Sequence, residues 1–245
     1  MHTLGIVWNP SQGIDLGFFM VRYYSLMFVI AFGLGWYIMK HIFENENEPI
    51  EKLDSLFIWT VIATIFGARL GHVLFYQPEL FTQDPLSVFL PIKTQPTLHF
   101  TGFSGLASHG AAIAIIIFMF YFSKKVMKRP LLWVLDRVVI PVASGAIFVR
   151  LGNFFNSEIY GNTTSGDNFY GVKFVREDEF WAGRNVEQIT GIDNQNAAFH
   201  ALENNIQFSN VMAAIPFRHP SQLYEAFGYI FVFAVLFYGY WKTDM

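Results

Sequence analysis

Arg150 and Asn153 stand three residues apart inside the apolar run 131–155. On a helix that spacing puts a guanidinium and an amide on one face. A charged side chain inside a membrane-length segment costs about 3 kcal/mol or more, so it marks a partner, a cavity or a substrate. Tyr24, Arg69, His109 and Glu225 fall in or beside similar runs. Gln222 precedes Glu225 by three residues and shares its face, and Asn156 and Glu158 follow Asn153 closely.

Two guanidiniums suit a phosphate, which Arg grips bidentately through a planar fork. Asn153, Asn156 and Gln222 offer neutral donors to ester or hydroxyl oxygens. His109 brings the one side-chain type of the set that ordinarily exchanges a proton near neutrality. Glu158 and Glu225 can orient it or hold an arginine, because an unpaired carboxylate there is costly. A phospholipid headgroup matches this chemistry. Each residue alone also has a plain role. Arg69 or Arg150 can snorkel to headgroups, His109 can satisfy an interhelical hydrogen bond, and Tyr23 with Tyr24 can join an aromatic belt. Their joint occurrence favours a site.

These groups need elements to carry them. Of the 245 residues, 53% are hydrophobic, 28 are Phe and only 14% are charged, with mean hydropathy +0.35. Soluble chains carry about 25% charged residues, so the composition predicts an all-α polytopic membrane protein. A net charge of −3 gives no basic face for nucleic acid, and the absence of Cys excludes disulfides, thiol nucleophiles and thiolate metal sites. No His cluster has metal-ligand spacing, and no cofactor is called for. The N-terminus shows no basic region followed by a cleavage site, so no removable signal is read.

About 20 apolar residues cross a bilayer as a helix. Runs at 18–39, 53–76, 106–122, 131–155 and 220–241 meet or nearly meet this, the third being shortest. Lys40, Lys52, Lys124, Lys125, Lys128, Arg129 and Lys242 flank one side, and the opposite short loop holds only Lys93. Basic short loops face the cytoplasm, which predicts an outside N-terminus. The division expected is an external segment 1–17, four helices in 18–155, an external cap 156–217, and a fifth helix with a cytoplasmic end in 218–245. Acidic 44–51 reads as a solvated turn, and Gly67 with Gly71 as a helix-packing pair. Pro220 fits a first helical turn, where no amide donor is needed. No internal repeat is seen. At about 1.5 Å per residue, Arg69 lies about 10 Å from its outer helix end, Arg150 about 8 Å, His109 about 5 Å, and Tyr24 and Glu225 about 9 Å. All five runs would then bring a polar group to one level below the outer face.

Several motifs run in order along the chain. They are Tyr24 before Ser25-Leu26-Met27; Gly67-Ala68-Arg69-Leu70-Gly71-His72; Ser108-His109-Gly110; Arg150-Leu151-Gly152-Asn153 through Asn156-Ser157-Glu158-Ile159-Tyr160-Gly161; and Arg218-His219-Pro220-Ser221-Gln222-Leu223-Tyr224-Glu225. Together they resemble bacterial prolipoprotein diacylglyceryl transferase, and the fourth is that family's signature. The resemblance implies an enzyme of the bacterial inner membrane that moves diacylglyceryl from phosphatidylglycerol to the lipobox Cys thiol of a prolipoprotein, releasing glycerol phosphate. It carries functional positions to Tyr24, His109, Arg150, Asn153, Glu158 and Gly161, with Arg69 and Glu225 in matching motifs. Ala68 and Ala111 stand where the family usually has Gly. The family continues for two more helices after the fifth, whereas this chain ends at Met245, so a form lacking them is expected.

In the mechanism so implied, His109, with Tyr24 as a relay, takes the thiol proton. The thiolate is the nucleophile, and Arg150, Asn153 and Arg69 stabilise the departing phosphate. Other readings are a shortened inactive homologue that still binds phospholipid headgroups, an anionic-headgroup transporter, and an intramembrane serine protease built on Gly102-Phe103-Ser104-Gly105.

Overall fold

A computed structural model describes residues 4–17, 20–90, 92–94, 99–100, 105 and 107–242. Short strands β1 (Ile6–Trp8), β2 (Gly13–Asp15) and β3 (Met20–Arg22) lead into α1 (Tyr23–Asn45). Next come α2 (Ile50–Tyr76), the short helices α3 (Leu80–Gln83) and α4 (Pro85–Phe89), and the two-residue strands β4 (Ile92–Lys93) and β5 (His99–Phe100). Helix α5 (Ser108–Phe122) runs on as a π-helical turn, Ser123–Met127, before α6 (Leu131–Phe155). The following segment holds β6 (Thr163–Thr164), β7 (Val172–Phe174), α7 (Asp178–Trp181), α8 (Val186–Thr190), α9 (Gln195–Asn204), α10 (Ser209–Ala214) and β8 (Phe217–Arg218). Helix α11 (Ser221–Lys242) is the last element described.

Five of these helices are long and apolar enough to cross a membrane, so the chain is a multi-pass, mostly helical membrane protein. Proline precedes three of them, at Pro49, Pro130 and Pro220, where its missing amide costs nothing and its ring blocks helical continuation upstream. The expected bounds shift most tellingly in the first and third helices. The first helix starts at Tyr23 rather than 18, because Met20–Arg22 is drawn into an antiparallel pair with Gly13–Asp15. The third gains the π-helical turn and reaches 20 residues, 108–127, which makes up its apparent shortness. Tyr24 and His109 are consequently the second residues of their helices.

The chain divides into two compact units. One comprises residues 36–139. Within it α2 and α5 cross at very close range, because Gly67, Gly71 and Gly110 face one another; a Cβ on Gly71 would lie 2.6 Å from the Gly110 Cα. Such crossings are how membrane helices gain packing energy without a hydrophobic drive. At the other end of this unit Glu48 accepts from Lys52 Nζ (2.8 Å) and Arg129 Nε (2.9 Å), and Arg137 Nη2 pairs with Glu46 at 2.7 Å. Burial pushes the Glu48 carboxyl up, but the two cations together hold it below its ordinary range.

The other unit comprises residues 1–35 and 140–245. Its sheet runs β1-β7-β8-β6, with β1 parallel to β7 in the register Ile6↔Val172. The N-terminal segment and the stretch after α6 are therefore one folded body. A small core of Val175, Val186, Ala198, Phe199, Leu202 and Ile215 gives that stretch its own apolar centre.

Candidate active site at the end of the fourth membrane helix

The last turns of α6 carry Arg150 and Asn153 on one face, as their spacing requires. Arg150 Nε pairs with Glu225 Oε2 at 2.7 Å, and its Nη1 lies 3.5 Å from the Asn153 amide oxygen. Asn153 is 2% exposed, and its Nδ2 donates to Glu158 Oε1 at 2.9 Å. Asn156 Nδ2 reaches the same oxygen at 3.4 Å. A line of polar contacts thus runs Glu225, Arg150, Asn153, Glu158. Glu158 holds the two amides, and Glu225 holds the arginine.

Tyr24 approaches from α1 and sets its hydroxyl against Asn153. Gly152 permits this, since a Cβ there would lie 2.8 Å from Tyr24 Cδ2. After the helix the backbone turns sharply through Ser157 (φ 57°) and Ile159 (φ 55°). Fully buried Gln222 fixes the turn by donating Nε2 to the Glu158 carbonyl at 2.7 Å, and Ser221 Oγ donates to the Ile159 carbonyl at 2.9 Å. Gly161 donates its amide to the His219 carbonyl at 2.8 Å, and a Cβ there would come within 3.0 Å of the His219 Cβ. From the N-terminal strand, Trp8 Nε1 donates to the Phe154 carbonyl at 3.0 Å, which also accepts from the Ser157 amide at 3.1 Å.

A second network supports the turn. Arg218 grips Glu177 through Nε–Oε2 and Nη2–Oε1, each 3.0 Å, and reaches Glu179 Oε2 at 2.9 Å. The Arg218 guanidinium lies 4.6 Å over the Tyr160 ring, and Tyr160 donates its hydroxyl to Asp178 Oδ1 at 2.6 Å. Glu177 holds the Arg218 pKa above its ordinary value. Burial, then the bond to Asp178, pushes the Tyr160 phenol well above its usual value. Sequence reading missed Glu177, Asp178 and Glu179, whose acidic run looks like any solvated charge cluster.

The structure therefore gathers Tyr24, Arg150, Asn153, Asn156, Glu158, Gly161, Gln222 and Glu225 in one unit, and places Arg69 and His109 in the other. Arg69 donates Nη2 to the Ser87 carbonyl (2.6 Å), Nε to Val88 (3.2 Å) and Nη1 to Gly105 (3.3 Å). Three of its N–H groups are thus engaged with backbone carbonyls. The exposed His109 ring packs edge-on to Phe75 at 4.9 Å. Gly102, Phe103 and Ser104 of the protease string lie outside the described residues. No group of three His, Asp or Glu able to hold a metal ion occurs among the described residues. A groove of about 430 Å³ lies elsewhere, lined by Val7, Lys173, Leu202, Ile206 and Phe217, and touches none of the residues around Arg150.

An arginine held by a carboxylate and an amide at the end of a membrane-length helix has the chemistry to meet an anionic, oxygen-rich group. The family model described as prolipoprotein diacylglyceryl transferase matches residues 12–245. A protein of Chloroherpeton thalassium named phosphatidylglycerol--prolipoprotein diacylglyceryl transferase is 32% identical over 240 residues, 98% of this chain and 72% of that protein. Proteins of the same name from Porphyromonas gingivalis and Tolumonas auensis are each 34% identical, over 91% and 94% of this chain and 66% and 71% of their own lengths. The chain belongs to the prolipoprotein diacylglyceryl transferase family, and so to the transferases of lipoprotein biosynthesis.

Proposed function

We propose that this chain transfers the diacylglyceryl group of phosphatidylglycerol to the lipobox Cys thiol of a prolipoprotein, releasing glycerol phosphate. It works in a bacterial cytoplasmic membrane with its N-terminus and the 156–217 cap outside. The observation that carries the reading is the Arg150 guanidinium, held by Glu225 and Asn153 at the end of α6 in a chain of this family.

The thiolate sulfur attacks the glyceryl carbon that bears the phosphate ester. A C–S bond forms, the C–O bond breaks, and the oxygen leaves with the electron pair as part of glycerol phosphate. Arg150 meets the charge that grows on that oxygen, and Asn153 holds the arginine's neighbourhood polar and ordered through Glu158. Donors aimed at developing charge contribute about 10²–10³ in rate each. Tyr24, Asn156, Gly161 and Gln222 position the Asn153–Glu158 turn. His109 is assigned the thiol proton because an imidazole suits a base at neutral pH.

The test is Arg150→Lys, assayed as diacylglyceryl mass gain on a lipobox peptide with phosphatidylglycerol vesicles. Lysine keeps the charge but not the planar fork, so transfer should fall by about 10² or more. Transfer at the parent rate would remove Arg150 from the reaction. His109→Gln should slow turnover with lipid binding retained; loss of binding alone would make His109 a binding residue and not a base.

A further inference from the structure

Two arginine–carboxylate pairs in this unit differ in kind. Arg218–Glu177 is closed from solvent, with side chains 9% and 0% exposed. Arg150–Glu225 is open, at 25% and 41%. The pair spares each helix an unpaired charge, and its openness leaves the guanidinium within reach of a ligand. Glu225 on α11 meets Arg150 on α6 through the guanidinium Nε. That edge of the fork is also one that a phosphate oxygen would use.

The proposed reaction raises the charge at this point. Phosphatidylglycerol is a phosphodiester with one negative charge. Glycerol phosphate is a monoester, which carries about −1.5 to −2 at neutral pH. A lone guanidinium would hold the product more firmly than the substrate, and turnover would stall at release. Resting on the transferase reading above, we infer that Glu225 is a resident anion competing with phosphate for Arg150, setting the site's preference for the singly charged diester over its more highly charged product. Its carboxylate yields Nε to the incoming diester, then repels the monoester and reclaims the guanidinium. Arg150 and Glu225 thus form an exchangeable pair, in contrast to the fixed Arg218–Glu177 pair.

Equilibrium binding to the full chain in phosphatidylcholine nanodiscs tests this, using glycerol phosphate and short-chain phosphatidylglycerol as probes. Glu225→Gln should bind glycerol phosphate about two- to fivefold more tightly, the range expected from removing one partly exposed competing charge. It should bind phosphatidylglycerol with a smaller gain, so the product-to-substrate affinity ratio rises. Glu225→Asp, which keeps the charge on a shorter arm, should give an intermediate ratio, and it decides the matter if the Gln variant does not fold. An unchanged ratio in either variant overturns the inference. If the ratio is unchanged while Arg150→Lys weakens both ligands, Glu225 is not a competitor but the headgroup site stands. If Arg150→Lys alters neither affinity, the headgroup assignment itself fails.

Discussion

Replacing Arg218 by Met removes one partner of the closed pair and leaves Glu177 wholly buried with its charge uncompensated. Breaking such a pair from one side costs about 3–5 kcal/mol, because the stranded ion has lost both water and its counterion. The damage should be local, since Arg218 ties β8 to the Glu177 loop and adjoins His219, whose carbonyl holds Gly161. Hydrogen exchange read by mass spectrometry over Val172–Phe174 and Gln195–Asn204 reports that opening. Protection there should fall by about two to three and a half powers of ten, and α2 and α5 should be unaffected. Glu179 is 69% exposed, so Glu179→Gln should change protection by less than about 0.5 kcal/mol. The double variant Arg218→Met with Glu177→Leu removes both charges and should recover most of the loss. If the double variant exchanges as fast as the single one, a stranded charge is not the cause. A loss below about 1 kcal/mol would make the pair an ordinary surface contact.

Three further outcomes follow from the packing. Gly152→Ala places a methyl 2.8 Å from Tyr24 Cδ2 and should displace the tyrosine; a shift of about 1 Å costs about 10²-fold, so peptide diacylglyceryl transfer should fall by that order, and an unchanged rate would remove Tyr24 from the site. Gly71→Ala puts a methyl 2.6 Å from the Gly110 Cα, so α2 and α5 must separate, which should appear as reduced monodisperse yield in detergent; parent-like yield would show that the crossing tolerates a methyl. Thr94 donates to both Asp84 oxygens, by its amide (2.9 Å) and its hydroxyl (2.7 Å), holding that carboxyl below its ordinary range. A depressed folded pKa gives stability that is present above the ordinary value of about 3.9 and lost as pH falls through the lower folded value. Protection of the Thr94 amide, corrected for intrinsic exchange, should show that loss in the parent and not in Asp84→Asn; identical profiles would rule Asp84 out.

The sequence alone sufficed for the five crossings and for the pairing of Arg150 with Asn153. A bilayer demands only length, apolarity and backbone bonds closed within the segment, all of which are local properties. The i, i+3 geometry of the arginine and the amide is likewise a property of the helix itself. Motif order along the chain pointed to the family, and residues 12–245 match it. The start of α1 at Tyr23 was beyond reach, since it depends on Met20–Arg22 pairing with another strand. The partners of the charged groups were equally hidden: Glu225 reaches Arg150 across 75 positions, and Glu177 reaches Arg218 across 41. The three carbonyls that Arg69 meets were equally beyond reach, since only the folded backbone brings them to it. Which residues carry charge is written in the chain; which charge answers which, and whether water reaches the pair, follows from distances that only the packed helices and strands create.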